Sequence, residues 1–245
     1  MRNYEEEFRL RVEWIRNVMK QSGAQGIVFG NSGGKDSALT GILCKAACDN
    51  TLGVLLPCES SRNFGEDSVD ALALAQRYGI ESYTVDVTAT KRALCDALPL
   101  KPTPSAAALQ NVNPRLRMTV LYTVAQSRNS LVAGTGNRSE RYVGYFTKWG
   151  DGAYDFNPIG DLCATEVTEF LKFLGAPESI VKKAPSAGLF EGQTDEEDLG
   201  FTYQELDRWI LHGEASEQNK EKFLKMHRAT EHKREAAKIY EKTEK

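Results

Sequence analysis

The sequence lacks a disulfide framework, a membrane-spanning run and an excess of basic charge. Its five cysteines are an odd number and form no C-x-x-C pair, so we expect reduced thiols and a cytoplasmic protein. No apolar run approaches the roughly 18 residues of a membrane helix, and the N-terminus, which has acidic residues and no uninterrupted apolar stretch, resembles no targeting peptide. The 34 acidic residues outnumber the 31 basic ones, which argues against nucleic acid as a partner.

The chain has instead the pattern of one α/β domain. With 245 residues, 41% of them hydrophobic, it is long enough to bury a substantial core. Short apolar segments alternate with amphipathic ones, which predicts βαβ units and a mostly parallel sheet. We find no internal repeat and no second core, so a single domain over residues 1–245 is favoured. The predicted strands cover 26–30, 52–56, 80–87 and 130–134.

Helices are predicted between these strands and at both ends of the chain. The first, about 3–21, carries an apolar stripe that could cover the sheet or pair with a second copy. Asn113 and Pro114 are expected to cap and begin a helix over 115–126. The acidic segment 188–200 has no periodicity and is expected to be a loop. Further helices are predicted at 36–48, 66–78 and 164–174, with polar helices within 202–237.

The first predicted strand runs into SGGKDS, residues 32–37, and then into a helix. This is not a Walker A loop, because Gly30 precedes Gly34 by one residue too few and Asp36 replaces the metal-binding hydroxyl. Backbone N–H groups at a helix N-terminus bind anionic oxygen well. Asp36 would repel bare phosphate, so a bridging Mg²⁺ is expected. The alternative is a glycine-rich turn with Asp36 as a helix cap.

SGGKDS resembles the pyrophosphate-binding loop of the N-type ATP pyrophosphatases, an adenine nucleotide α-hydrolase-like superfamily that cleaves ATP to AMP and pyrophosphate. Residues 113–162, which include NPRLRM, GTGNRSE and GYFTKWGDG, are similar to the NAD⁺ synthetases within it. Two later blocks, KKAPSAGLFEGQTDEEDLGFTYQELD and EHKR, follow in the family's order. The resemblance implies a three-layer α/β/α Rossmann-like fold. It also implies the ammonia-dependent form, since the glutamine-dependent form carries an additional amidase domain.

The resemblance implies ATP-dependent amidation of deamido-NAD⁺ by ammonia, the last step of NAD⁺ biosynthesis. The reaction would pass through an acyl-adenylate and release AMP and pyrophosphate, in a homodimer. ATP contacts are thereby assigned to Gly30, Asn31, Ser32, Gly33, Gly34, Lys35, Asp36, Ser37, Thr135 and Ser186. Mg²⁺ is assigned to Asp36 and Glu140. Deamido-NAD⁺ is assigned to Arg115, Lys148, Asp155, His232 and Lys233, the last two reaching across the dimer.

Two points of this assignment stay open. Ammonium must lose a proton before it attacks, and either Asp151 or Asp155 could accept it, with Asp36 as the third predicted catalytic carboxylate. Ala164 stands where many members have a lysine that meets ATP phosphate. We expect the neighbouring lysines at 182 and 183 to replace it, with Lys35 as the other candidate. Ser186 replaces the family's threonine and keeps the hydroxyl.

Two other functions fit the loop alone. A tRNA-modifying relative could use it, but the thiolation type usually carries paired C-x-x-C cysteines, and the net charge of −3 does not favour RNA. A non-catalytic adenine-nucleotide-binding module could share the fold, but it would have no use for both Asp36 and Glu140. The sequence does not decide whether ammonia arrives free or from a separate glutaminase.

Overall fold

The computed structural model describes residues 2–99, 104–184 and 195–240. Its strands form one sheet in the order β3-β2-β1-β4, and every neighbouring pair is parallel, which confirms the predicted sheet. The edge strand β3 is shorter than the predicted 80–87, because a helix begins at Thr88. The strands are β1 (Gly26–Gly30), β2 (Thr51–Leu55), β3 (Glu81–Thr84) and β4 (Ser130–Ala133).

Helices occupy most of the remaining described chain. Those before β4 are α1 (Tyr4–Ser22), α2 (Lys35–Ala47), α3 (Ser61–Phe64), α4 (Glu66–Tyr78), α5 (Thr88–Ala97), α6 (Ala106–Gln110) and α7 (Val112–Ser127). Those after it are α8 (Arg138–Val143), α9 (Ala164–Phe173), α10 (Glu178–Val181), α11 (Asp195–Leu199), α12 (Tyr203–His212) and α13 (Glu217–Ala229). A short 3-10 turn, Glu231–Lys233, follows α13.

Three boundaries differ from the sequence prediction. Helix α7 begins at Val112, because α6 runs almost directly into it, so Asn113 lies inside the first turn rather than capping it. The last helix ends at Ala229 rather than near 237. Beyond its end, the side chain of Arg234 donates to the carbonyl oxygen of Tyr142. Part of the expected acidic loop is α11, and 188–194 lies outside the described residues.

Helices cover both faces of the sheet, which confirms the three-layer arrangement. Side chains of a strand point alternately to opposite faces. Ile27 and Phe29 therefore pack with α1, α2 and α9, whereas Val28 packs with α7. The sequence left open whether the apolar stripe of α1 covers the sheet or pairs with a second copy. In the structure the stripe covers the sheet, with Val12 and Ile15 buried.

A third apolar cluster, which the sequence analysis missed, joins α8, α12 and α13 around Val143, Leu206 and Phe223. It fixes the segments that follow β4 beside the carboxyl ends of the strands. Parallel strands end at a common edge, where ligands bind in open α/β sheets. No described helix has the length and apolarity needed to cross a membrane. None of the five cysteines, all within the described chain, forms a disulfide.

Candidate active site

A cavity of about 650 Å³ lies at the carboxyl ends of β1, β2 and β4. Its walls are the SGGKDS loop, α7, the segment after β4 and α11. The structure brings most of the predicted ATP-binding residues to this cavity, although Gly33 lies behind the lining and Ser186 lies outside the described residues. Those that line it are Gly30, Asn31, Ser32, Gly34, Lys35, Asp36, Ser37 and Thr135.

The SGGKDS loop is held in an open turn by its own hydroxyls. The Ser32 and Ser37 Oγ atoms are 3.0 Å apart, and Ser37 Oγ also donates to the Gly34 carbonyl oxygen at 3.0 Å. Gly33 has a positive φ of 72°, and a Cβ there would come within 2.1 Å of the Asp67 carbonyl oxygen. No side chain caps the N-terminus of α2, so its first N–H groups are available for an anion.

Asn137 joins the two predicted metal-binding carboxylates. Its Nδ2 donates to Asp36 Oδ1 at 3.0 Å, while its Oδ1 accepts the Glu140 N–H at 3.0 Å. Glu140 Oε2 accepts the Asn137 N–H in return, which completes a capping box at the start of α8. The sequence analysis assigned no role to Asn137, although its N-x-x-E spacing with Glu140 is a helix-start signal.

The two carboxylates crowd each other in a poorly solvated place. Burial raises the pKa of Asp36 to about 6, despite the hydrogen bond from Asn137. Burial, and then the neighbouring Asp36 carboxylate, raise the pKa of Glu140 well above its usual range. The neighbouring Lys35 ammonium lowers the pKa of Asp36, but it offsets only part of the cost of desolvating the ionised pair.

The donor set fits Mg²⁺, which prefers carboxylate oxygens and keeps several waters. The described residues contain no group of three or more His, Cys, Asp or Glu side chains able to hold a metal. A cation on Asp36 and Glu140 would therefore complete its shell with water or phosphate oxygens.

We expect Mg²⁺ to stabilise the protein more at pH 8 than at pH 5. Because the folded pKa of Asp36 is raised to about 6, the free protein loses stability as pH rises through that value. Mg²⁺ binds the ionised pair and restores the loss, whereas at pH 5 it must displace protons. Thermal unfolding with and without Mg²⁺ across this range measures the effect. An Mg²⁺-induced shift in Tm that is independent of pH would contradict it.

Asp195 and Tyr203 also face the carboxylate pair, and no pattern in the sequence had pointed to them. The Tyr203 hydroxyl donates to Asp195 Oδ2 at 3.2 Å, and both residues line the cavity. Burial, together with the negative charges of Glu140, Asp195 and Asp36, raises the pKa of Tyr203, so the phenol stays protonated. The cavity is thus strongly acidic on the side of α11.

Lys233 and Asp151 also line the cavity. We expected Lys233 to reach across a dimer, but it lines the cavity of its own chain, because its Nζ donates to the carbonyl oxygens of Gly144 and Phe146 at 2.7 Å each. Asp151 Oδ1 accepts the Thr147 N–H at 3.0 Å. Asp151 as a whole residue is exposed, whereas desolvation of its carboxyl group raises the pKa.

The other predicted substrate contacts lie outside the cavity lining. Arg115 is exposed and donates to the Lys148 carbonyl oxygen at 3.4 Å, and the Lys148 ammonium donates to the His232 carbonyl oxygen. These three residues thus gather beside the cavity. Asp155 accepts the Val132 N–H at 2.7 Å and the Tyr122 hydroxyl at 3.3 Å, so both of its oxygens are engaged at the edge of β4. Of the two candidate proton acceptors, Asp151 alone lines the cavity.

Ala164 lines the cavity without a charge, and Lys183 reaches the phosphate-binding loop from another direction. Lys183 Nζ lies 2.8 Å from Asp67 Oδ1 and 2.7 Å from Asp70 Oδ2, and it donates to the Gly33 carbonyl oxygen at 3.3 Å. Lys182 is exposed and pairs with Glu178 instead. Only one member of the lysine pair is therefore placed to meet phosphate.

We expect Lys183→Ala to raise the KM for ATP about 10-fold, because one charge-assisted contact is worth about 1.5–3 kcal/mol. Lys182→Ala is the matched control and should leave this KM unchanged, since its ion pair is exposed. Steady-state kinetics with varied ATP measures both. A KM for ATP that is unchanged in Lys183→Ala would show that Lys183 does not meet ATP, and an equal increase in both variants would show that Lys183 has no special role.

Comparison with known proteins agrees with this geometry. The NAD synthase family profile matches residues 7–244. The NH(3)-dependent NAD(+) synthetase of Carboxydothermus hydrogenoformans is 45% identical over 95% of this chain and 96% of its own. The NMN synthetase structure from Francisella tularensis has a TM-score of 0.92 at 36% identity, over 98% of this chain and 99% of that one. The nitrate complex of the Campylobacter jejuni NH3-dependent NAD synthetase has a TM-score of 0.81 at 28% identity, over 98% and 100%. The chain belongs to the NAD synthase family.

Proposed function

We propose that this amide-forming ligase converts deamido-NAD⁺ to NAD⁺ with ammonia and ATP, as the last step of NAD⁺ biosynthesis. One observation carries the proposal. A single cavity is lined by the SGGKDS loop, by the carboxylate pair Asp36 and Glu140, and by Asp151. A passive nucleotide-binding module has no need for these carboxylates, which cost stability in the absence of a cation.

The chemistry begins with a poor electrophile, since a carboxylate would have to expel oxide. Attack of a carboxylate oxygen on the α-phosphorus of ATP forms an acyl-adenylate and breaks the bond to pyrophosphate. The N–H groups of the SGGKDS loop, with Lys35 and Lys183, would hold that pyrophosphate. Mg²⁺ bound to Asp36 and Glu140 would neutralise charge on the departing oxygens.

Ammonia then attacks the acyl carbon and expels AMP. Ammonium dominates near neutral pH, so a base must take its proton first. Asp151 is the better placed of the two predicted carboxylates, because it lines the cavity and its raised pKa suits a proton acceptor. Asp155→Asn is expected to spare both half-reactions, whereas Asp151→Asn should block the second.

A second acceptor is favoured by one comparison. The Francisella tularensis structure with a TM-score of 0.92 is described as an NMN synthetase, which makes the nicotinamide mononucleotide rather than the dinucleotide. Nicotinic acid mononucleotide carries the same reacting carboxylate without the adenylyl half. The two acceptors therefore require the same cavity and differ in what lies beyond it, where Arg115, Lys148 and His232 gather.

One assay separates these possibilities. Purified protein is incubated with ATP, Mg²⁺ and ammonium, and with either deamido-NAD⁺ or nicotinic acid mononucleotide, and the amide, AMP and pyrophosphate are measured. The acceptor with the higher kcat/KM is the substrate. Formation of ADP would contradict the mechanism. Turnover with glutamine in place of ammonium would contradict the proposal that ammonia is the nitrogen source.

We also propose a cytoplasmic homodimer. The five unpaired cysteines suit a reducing compartment, and the exposed cluster of Arg115, Lys148 and His232 beside the cavity is a surface that a second copy could complete. Sedimentation velocity at micromolar concentration should show twice the mass of 27.2 kDa. A monomer with full activity would contradict the dimer.

A further inference from the structure

Arg117 is a cavity residue to which neither the sequence nor the proposed mechanism assigns a partner. It lies in α7 and lines the cavity between the end of β2 and Asp151. Its Nε donates to the Leu56 carbonyl oxygen at 2.9 Å, and its Nη2 donates to Asn63 Oδ1 at 3.1 Å. Both acceptors are neutral, and in the described part of the chain no carboxylate forms an ion pair with this guanidinium.

Desolvating such a cation is energetically unfavourable. Desolvation lowers the pKa of Arg117, which means that the surrounding protein disfavours its charge, although a guanidinium stays protonated. Two other cations of the cavity have acidic neighbours, since Lys183 touches two carboxylates and Lys35 adjoins Asp36. Lys233 resembles Arg117, because its Nζ donates only to neutral carbonyl oxygens, those of Gly144 and Phe146. A half-buried charge that forms no ion pair is favoured at a site where a ligand supplies the opposite charge.

The position of Arg117 indicates which ligand. The triphosphate of ATP has its own recognition elements in the SGGKDS loop, Lys35 and Lys183. Arg117 is within electrostatic reach of Asp151, the carboxylate proposed to take the ammonium proton, and of Asp67, which adjoins the SGGKDS loop. It therefore lies between that loop and the part of the cavity where the acceptor is proposed to react. Its fixed fork of N–H groups matches a carboxylate or phosphate.

We propose that Arg117 binds an oxyanion of the acceptor pyridine nucleotide, either its nicotinate carboxylate or its phosphate. The inference rests on the proposed amide synthesis and adds a binding residue to it. Nε and Nη2 are held by Leu56 and Asn63, so the guanidinium is pre-oriented and presents its remaining N–H groups to the ligand. Leu56 and Asn63 are in this view positioning residues.

The test uses Arg117→Met in the full-length chain, with Arg128→Met as the matched control. Arg128 stands at the far end of the same helix, where it pairs with Glu81 in solvent. For Arg117→Met we expect a KM for the acceptor raised about 10- to 100-fold and a KM for ATP changed less than about 2-fold. Because an unpaired charge is removed, the ligand-free variant should unfold at the wild-type temperature or above it. Arg128→Met should change neither KM.

Ligand binding measured in the absence of turnover identifies which oxyanion Arg117 contacts. Thermal shifts are measured with deamido-NAD⁺ and with NAD⁺, which has the phosphates but no carboxylate. Loss of only the deamido-NAD⁺ shift assigns the carboxylate, and equal loss of both assigns the phosphate. Arg117→Lys keeps the charge and should restore part of the binding. The inference is overturned if Arg117→Met raises the KM for ATP, or if the KM for the acceptor is unchanged in both Arg117→Met and Arg117→Lys. If the wild type makes no amide from either acceptor, the proposed function itself fails.

Discussion

Replacing Asp36 by asparagine is expected to lower the turnover of amide formation about 1,000-fold, because the carboxylate pair would no longer hold the Mg²⁺ that would neutralise charge on the departing pyrophosphate. The amide oxygen of asparagine still accepts the hydrogen bond from Asn137 Nδ2, so the loop and α8 keep their contact. The pyrophosphate-forming half-reaction should fail together with the overall reaction, which distinguishes Asp36 from Asp151. Radiolabelled pyrophosphate exchange into ATP measures the first half-reaction alone.

The same substitution should leave the fold intact. At pH 8 the ligand-free Asp36→Asn protein is expected to be at least as stable as the wild type, because the ionised pair with Glu140 is relieved. Glu5→Gln serves as the matched control, since it removes an exposed carboxylate from the first turn of α1 without reaching the cavity. Turnover within about 10-fold of the wild type in Asp36→Asn would exclude a metal-binding role for Asp36.

Gly33→Ala is expected to abolish activity and to destabilise the protein by about 3 kcal/mol. Two separate costs add up at this position. The φ of 72° is unfavourable for any side chain, and the added Cβ would lie 2.1 Å from the Asp67 carbonyl oxygen in α4. Relieving the clash moves the loop away from α4 and disrupts the nest of N–H groups that holds the pyrophosphate.

Gly23→Ala separates these two costs. Gly23 ends α1 with nearly the same φ, 70°, but nothing lies within 4 Å of the position that a Cβ would take there. Gly23→Ala should lower the free energy of unfolding by about 1 kcal/mol and leave the turnover unchanged. Chemical denaturation and steady-state kinetics on both variants make the comparison. Equal destabilisation would show that the close approach of α4 to the loop is unimportant.

The ordering of β1, SGGKDS and α2 could be read from the sequence because each signal is local. An apolar strand, a glycine turn and a helix start lie within about twenty residues, and the backbone conformations they require are set by near neighbours. The assignment of Glu140 came from the family resemblance instead, and its capping box with Asn137, four residues long, was not used. The boundaries of α7 and α13 were missed because packing from other segments decides where those helices begin and end.

The sequence by itself predicted the parallel sheet and a phosphate-binding role for the SGGKDS loop, and the family resemblance added the pair Asp36 and Glu140. Only the tertiary structure decided that Lys183 rather than Lys182 reaches the loop, that Asp151 rather than Asp155 lines the cavity, and that Arg117 is there without a charged partner. The reason is physical. Local spacing specifies backbone conformation, whereas the direction and desolvation of a long charged side chain depend on elements far away in the chain.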